Sequence, residues 1–519
     1  MTADMTGSSR HLSPWLDGVA EPESTAAGLT GEPVEVLVIG AGIFGMSSAL
    51  LLRQAGKRVT VVEAGGLAST VTAHSTVKVT VGHTLALSRI EAKRGRHAAA
   101  AYALANTAGY AQILDFVQEL DIDCDLQTGL PHLIYAEQAE EVESLRKEAA
   151  LAAELGLPVA LLPDPSAEPS LPFPVFAAVA YENQATLHPG RYLAGLTQAF
   201  VDAGGTLVRG ARADGVQEKG GVCRVSTTAG EVVADSVVVA TSYPILDRGG
   251  QFSRLKPSRS YGIAGVLPAG THAGMTISVG SPTHSTRTVR LDGEDLLIVV
   301  GESHEVGKES DTSARWDRLQ GWAGERYGVT DFRYHWSAQD NASLDHVPFA
   351  GYLVPGSRRI LTGTGFDGWG MTNGTACAIL VRDLLTGQEN GWASTFDARR
   401  AIVSVPGPDV VKQNLTVAKR WVEGHLPIGA DRSPEQLAAG EAMVCRVDGE
   451  DTAAYRDEAG QLHAVSSVCT HLKCTVSWNG GERSWDCPCH GSRFSVDGEV
   501  LQGPASTPLE AGRLAAPLT

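Results

Sequence analysis

Apolar positions along the chain change period several times, and each change marks an element. Val36–Ile39 is a continuous apolar run, the pattern of a strand covered on both faces. The turn Gly40-x-Gly42-x-x-Gly45 follows, then small and apolar residues to Leu52, then a second strand pattern closing on Glu63. Residues 85–155 are rich in Ala, Leu, Glu and Lys, with apolar residues three and four apart, which predicts helices. The segment Glu182–Val216 reads as loop, helix and strand. It leads into a strand pair whose last run, Val237–Ala240, ends in Thr241-Ser242. Residues 253–303 alternate apolar and polar, the signature of an antiparallel sheet separate from the parallel one. A helix over Thr312–Tyr327 and a strand come next, then a Gly-rich turn opening a last helix near Gly370. Residues 401–430 read as a linker with one helix over Pro408–Glu423. From 431 short strands with Asp/Gly turns predict an all-β module.

The first unit is strand, turn, helix, strand, and its glycines have separate tasks. Gly40 allows the tight turn, Gly42 allows backbone to approach a pyrophosphate, and Gly45 allows close helix–strand packing. The helix N-terminus, with Ile43 and Phe44, offers N–H groups and a positive dipole end to phosphates. Glu63 lies eighteen residues past Gly45, where a carboxylate accepts from ribose hydroxyls, and Ala64 follows it. The hydroxyl-rich stretch Gly65–Gly82 is expected to lie over the ligand, Ser75 and Thr76 supplying donors. Ala240 and Thr241, at the carboxyl end of their strand, are placed beside it. The expectation is a dinucleotide site. A second dinucleotide motif is not found, so NAD(P)H is not the evident electron source.

Length and charge narrow the class. A chain of 519 residues is too long for one core and suggests about three domains. Net charge is 42 − 59 = −17, which disfavours nucleic acid. The N-terminus lacks the basic and apolar regions of a signal peptide. Val36–Leu52 is uncharged but carries phosphate-loop glycines, so no membrane span is expected and the cytoplasm is the expected compartment. The Asn-x-Ser/Thr triplets at Asn341, Asn373 and Asn414 are then chance matches. Residues 1–33 read as a loosely ordered arm with Trp15 tucked onto the body.

Of eight cysteines, Cys124, Cys223, Cys377 and Cys445 are scattered and read as core residues. The other four fall within 21 residues. Cys469-x-His471 and Cys487-x-x-His490 form one candidate site, with fifteen residues between His471 and Cys487. Two thiolates and two imidazoles hold either Zn²⁺ or a [2Fe–2S] cluster. Each segment gives one Cys and one His, as a Rieske centre requires, with both Cys on one iron and both His on the other.

This stretch closely resembles the Rieske signature, including Gly491-Ser492 after the last His. The resemblance implies a disulfide between Cys474 and Cys489. The first 400 residues resemble the D-amino-acid oxidase-like flavoproteins, which include glycine and sarcosine oxidases. The resemblance rests on the glycine motif with Glu63, residues 184–196 (QATLHPGRYLAGL), the VVVATS strand, and residues 363–372 (GTGFDGWGMT). It implies FAD, with Gly365, Phe366, Asp367, Gly370, Met371 and Thr372 at the flavin ring and backbone near Ala213 at the adenine. The whole chain is similar to a bacterial group of FAD-dependent oxidoreductases with a Rieske domain. That group generally reads TGHTT where this chain has Thr72-Ala73-His74-Ser75-Thr76.

The expected fold is an α/β Rossmann-type, glutathione-reductase-like FAD-binding domain with an α+β antiparallel-sheet substrate domain and a C-terminal all-β Rieske domain. FAD-binding parts are expected at about 34–90, 180–250 and 340–400, substrate-binding parts at about 91–179 and 251–339, and the Rieske domain at 431–519. Candidate substrate-pocket residues are Arg259, Tyr261, His304, Trp336 and Trp369. The expected reaction removes hydride from a carbon bearing an amine or hydroxyl, with electrons leaving singly through the cluster to an external acceptor such as a ferredoxin. Two alternatives stand beside it: a ferredoxin-fed reductase or desaturase, and a redox sensor or carrier without turnover. A Rieske oxygenase is disfavoured because no D-x-x-H-x₄-H spacing occurs.

Overall fold

The computed structural model describes residues 10–25, 28–29, 32–67, 71–246, 253–307, 309, 312–400 and 433–512. The linker helix expected over Pro408–Glu423 and the triplet at Asn414 lie outside these residues.

The apolar run after Val34 forms the strand Val34–Ile39 at the centre of a mostly parallel sheet. Its neighbours are Val59–Glu63 on one side and Gly230–Val239 on the other, with Thr206–Arg209 and Ile360–Thr364 outside them. Phe349–Tyr352 closes one edge antiparallel, and a meander of Ala213–Lys219 and Val222–Thr227 joins Gly230–Val239. The helix Ile43–Gln54 follows the glycine turn and is buried from Ile43 to Leu52. The helix Gly370–Thr386 packs near it, and Arg96–Glu119 packs on Gly370–Thr386 so closely that a Cβ on Gly109 would lie 2.3 Å from the Thr372 carbonyl.

The second sheet has ten strands. Leu255–Val266 pairs antiparallel with Glu294–Glu305 and with Phe332–Ser343. One face of this sheet carries Tyr135, Ala180, Tyr261, Ile263 and Val299 under the helix Ala314–Tyr327. The other face turns toward the parallel sheet through Ile134, Ala264, Ile298 and Trp336. The C-terminal module has a three-stranded and a four-stranded antiparallel sheet around a small core that includes Trp485 and Phe494.

Three expectations change. The strand Gln127–Ala136 interrupts the stretch read as helical, and Gly129 and Pro131 within it obscure its alternation. Ala177–Thr186 pairs with it in the large sheet and so crosses the expected boundary at residue 180. The N-terminal segment is not a loose arm where it is described. Arg10–His11 pairs with Phe332–Ser343. Trp15 is fully buried, donates to the Ser75 carbonyl at 2.8 Å and lies under the Arg287 guanidinium. Asn341 and Asn373 are buried, and so are Cys124, Cys223, Cys377 and Cys445. Among the described residues no helix is long and apolar enough to cross a membrane.

Candidate functional site

The glycine turn opens onto a cavity of about 500 Å³ between the two sheets. Gly40 has φ +105°, and a Cβ there would sit 2.6 Å from the Ala240 carbonyl oxygen. A Cβ on Gly45 would sit 2.0 Å from the Gly40 carbonyl oxygen. Gly42 differs: its nearest neighbour would be Thr72 Oγ1 at 3.7 Å, so this glycine borders space and not protein. No side chain caps the helix that Gly42 begins. Open N–H groups at a helix N-terminus beside a cavity fit a pyrophosphate. The Glu63 carboxylate accepts from the Ala41 N–H at 2.7 Å and the Gly65 N–H at 2.8 Å, which sets both turns against the cavity.

Gly40, Gly42, Ile43, Phe44, Glu63, Ala64, Ser75, Thr76, Ala213, Ala240 and Thr241 line this one cavity, together with Phe366, Asp367, Gly370 and Met371. Gly45, Gly365 and Thr372 lie behind the wall. Gly45 packs on Gly40, Gly365 has φ +79° beside Ser343, and Thr372 Oγ1 donates to the Thr80 carbonyl at 3.2 Å. Four lining residues other than glycine, Val77, Thr84, Ser242 and Asp367, have φ of +54°, +53°, +63° and +51°. Such backbone is costly for a β-branched residue such as Val77. It is held by Arg287, which donates to the carbonyls of Val77 and Leu187 at 3.0 and 2.8 Å.

The five candidate substrate residues separate. Trp369 lines the cavity. Trp336 lies on the cavity face of the large sheet, over Gly262, with its indole N–H donating to the His74 carbonyl at 3.1 Å. Arg259, Tyr261 and His304 do not reach the cavity. Side chains alternate along a strand, and Ser258, Ser260 and Ser303 take the inward positions. Tyr261 bonds His304 Nε2 at 3.0 Å on the far face, and Arg259 bonds Ser337 and Gln339 there.

Sequence reasoning missed several lining groups. Asp340 accepts N–H bonds from Gly368 and Asn341, and burial pushes its carboxyl up to about 6. The Lys78 amine donates to Ser285 Oγ at 2.7 Å, and burial, with Arg287 nearby, pushes its pKa well below the usual lysine range. His83 stacks on Trp369 with 4.5 Å between ring centroids. Burial pushes it down to about 3, so it supports the indole as a neutral ring. A period-2 pattern marks which residues alternate but not which phase faces the ligand, so Asp340 and Lys78 carried no signal of their own.

In the C-terminal module Cys469 and Cys487 are buried with their thiols in hydrogen-bonding range, which lowers Cys469 and raises Cys487. The rings of His471 and His490 stand 5.1 Å apart, nearly perpendicular. Cys474 and Cys489 form a disulfide, so of the three clustered sulfurs of Cys474, Cys487 and Cys489 only Cys487 can serve as a thiolate. Two thiols facing each other beside two imidazoles fit a [2Fe–2S] donor set.

The module is docked on the body. The Thr312 hydroxyl donates to Asn479 Oδ1 at 2.5 Å and accepts from the Gly481 N–H at 3.1 Å. Gln339 Nε2 donates to the Gly491 carbonyl at 2.8 Å. His490 meets Tyr243, and Leu501, Gln502, Gly503, Ala505 and Ser506 line the same cavity as the glycine turn.

Residues 35–384 match the family model described as FAD dependent oxidoreductase, and residues 430–513 match the Rieske [2Fe-2S] domain. YhfW of Bacillus subtilis (strain 168), described as a Rieske 2Fe-2S iron-sulfur protein, is 33% identical over 480 residues, 92% of each chain. The cytochrome b6-f complex iron-sulfur subunit 1 of Synechocystis is 40% identical over 91 residues, 17% of this chain and 51% of that one. Glycine oxidase from Geobacillus kaustophilus superposes with a TM-score of 0.60 at 17% identity, over 71% of this chain and 99% of that one. L-proline dehydrogenase from P. horikoshii gives 0.60 at 18% identity, over 71% and 98%. At these identities the solved structures show the shared fold. A matched glycine turn, a cavity that suits FAD, and a Cys₂His₂ donor set lead to one conclusion: the chain belongs to the FAD dependent oxidoreductase family and carries a C-terminal Rieske [2Fe-2S] domain.

Proposed function

We propose that the chain oxidises a small amine or amino acid and hands the electrons one at a time to an external acceptor protein, such as a ferredoxin, in the cytoplasm. FAD supplies a hydride acceptor and the Rieske cluster a one-electron exit. Gly40, Gly42, Glu63, Ala213 and the Phe366–Met371 turn are assigned to FAD, and Cys469, His471, Cys487 and His490 to the cluster. The observation that carries this reading is the contact between the two sites: His490 meets Tyr243, next to the cavity-lining Ser242. A path inside one chain then needs neither a swinging linker nor a second copy.

The chain's own residues suit an amine. Asp340 presents a carboxylate to the cavity near neutral pH, and Trp369, backed by His83, offers an apolar face. Together they would hold an ammonium group and fix the direction of its neighbouring C–H bond.

Anaerobic mixing with a panel of amines, amino acids and hydroxy acids tests the reading. The expected result is flavin bleaching followed by the spectrum of a reduced cluster. Bleaching by no substrate, with reduced ferredoxin reducing both centres, would reverse the direction of flow. An unchanged rate with a one-electron acceptor in His490→Ala would remove the cluster from the path.

A further inference from the structure

We infer that the Rieske segment Leu501–Ser506 is a wall of the FAD site, held there by the turns that bear the cluster ligands. The inference rests on FAD occupying the cavity and not on the direction of electron flow. Three observations carry it.

The segment lines the cavity that the glycine turn opens onto, although the two are far apart in sequence. It is tied to the body beside Ala213, where Arg212 Nη2 donates to the Val500 carbonyl at 3.0 Å. Among the described residues, Leu501 is also one of four large apolar side chains that stand exposed, at 46%. An exposed leucine on a cavity wall next to Arg212 has an apolar surface that a flat aromatic ligand would cover.

The C-terminal end of the segment, with Thr507 just past it, is anchored at the turns that bear the cluster ligands. The Ala505 N–H donates to the buried Ser492 Oγ at 3.0 Å, and the Ser492 carbonyl accepts from the Cys487 N–H at 2.7 Å. Thr470, between Cys469 and His471, donates to the Thr507 carbonyl at 2.7 Å. A shift of either ligand turn therefore moves the wall. Retention of FAD and integrity of the iron–sulfur end become coupled, and a protein that has lost its cluster would lose its flavin more readily.

The test is FAD release from the full chain, followed by the rise of free-flavin fluorescence after dilution. Leu501→Ser changes an exposed side chain and Arg212→Gln removes one hydrogen bond across the junction, so both variants should fold and keep the cluster's electron-paramagnetic spectrum. Each is expected to release FAD about tenfold faster, the effect of one lost apolar cover or hydrogen bond. Wild-type protein depleted of its cluster by chelation is expected to do the same. Gly42→Val is the control, since it intrudes on the glycine turn itself. If it weakens FAD while Leu501→Ser and Arg212→Gln stay within about twofold of wild type, the wall is overturned and the FAD site stands. If Gly42→Val also leaves FAD unaffected, the assignment of the cavity fails and the inference falls with it. Faster release in the variants but not in the cluster-depleted protein would overturn the coupling.

Discussion

The Tyr243 ring meets the His490 imidazole edge to face, with 6.4 Å between centroids and 63° between planes. Tyr243 is buried at the carboxyl end of Gly230–Val239, where its N–H donates to the Thr241 carbonyl and the Thr241 hydroxyl donates to its carbonyl. Ser242, between them, faces the cavity. One aromatic side chain thus spans from the cavity wall to His490, which we propose as a cluster ligand.

Tyr243→Leu should therefore leave flavin bleaching by substrate unchanged and slow the appearance of the reduced cluster. The expected slowing is on the order of tenfold, about 1.4 kcal/mol of activation free energy. Tyr243→Phe keeps the ring and should behave as wild type. Stopped-flow absorbance resolves the two phases. Equal second phases in Tyr243→Leu and wild type would mean that the ring is a packing residue alone.

Asp340 gives the site a pH dependence. Burial, the largest influence, raises its carboxyl to about 6, the N–H bonds from Gly368 and Asn341 oppose this, and Asp367 raises it further. The group is neutral below pH 6 and negative above it. With an amine that stays cationic, kcat/KM should fall about tenfold per unit below pH 6 and level off above. Asp340→Asn should flatten that limb and raise KM by about tenfold, one lost charge-assisted contact. A limb that persists in Asp340→Asn would assign the titration to another group.

Arg259 has a different role from the one its sequence position suggests. Its fully buried guanidinium bonds Ser337 and Gln339 and feels Asp486, Glu482 and Arg493 across the junction with the Rieske domain. The nearby Gln339 reaches the Gly491 carbonyl. Removing one member of a buried charge cluster costs about 3–5 kcal/mol because the others remain desolvated. Arg259→Ala should lower the melting temperature and loosen the Rieske domain while leaving the substrate KM within about twofold. A large rise in KM at unchanged stability would return Arg259 to the substrate site.

What could be read from the chain divides along a physical line. The glycine turn, the Glu63 carboxylate and the Cys/His segments act through neighbours within one or two turns, so residue type and spacing suffice to propose them. The substrate face depends on which phase of an alternating strand looks inward. Arg259 and Tyr261 alternate with Ser258 and Ser260, and the large polar and aromatic side chains fell on the helix-covered face. The docking of the Rieske domain depends on pairs such as Gln339 with Gly491 and Thr312 with Asn479. Such contacts join distant segments through single hydrogen bonds, and no local pattern announces them.

The glycine turn offers the cleanest separation of a packing glycine from a ligand glycine. A methyl on Gly45 would lie 2.0 Å from the Gly40 carbonyl oxygen and 3.2 Å from the Ala240 Cβ, both fixed by the sheet. Neither neighbour can yield without parting helix from strand, so Gly45→Ala should cost about 3 kcal/mol or more in the FAD-free chain. Gly42 has φ −76°, which any residue adopts, and its methyl would meet only Thr72 Oγ1 at 3.7 Å. Gly42→Ala should therefore leave the melting temperature of the FAD-free chain within a few degrees, since about 1 kcal/mol is the loss expected at an N-cap. The same methyl points into the cavity, so the stabilisation conferred by added FAD should shrink in Gly42→Ala. Melting each variant with and without FAD separates the two. If Gly42→Ala gained as much from FAD as wild type does, the pyrophosphate could not lie against this turn.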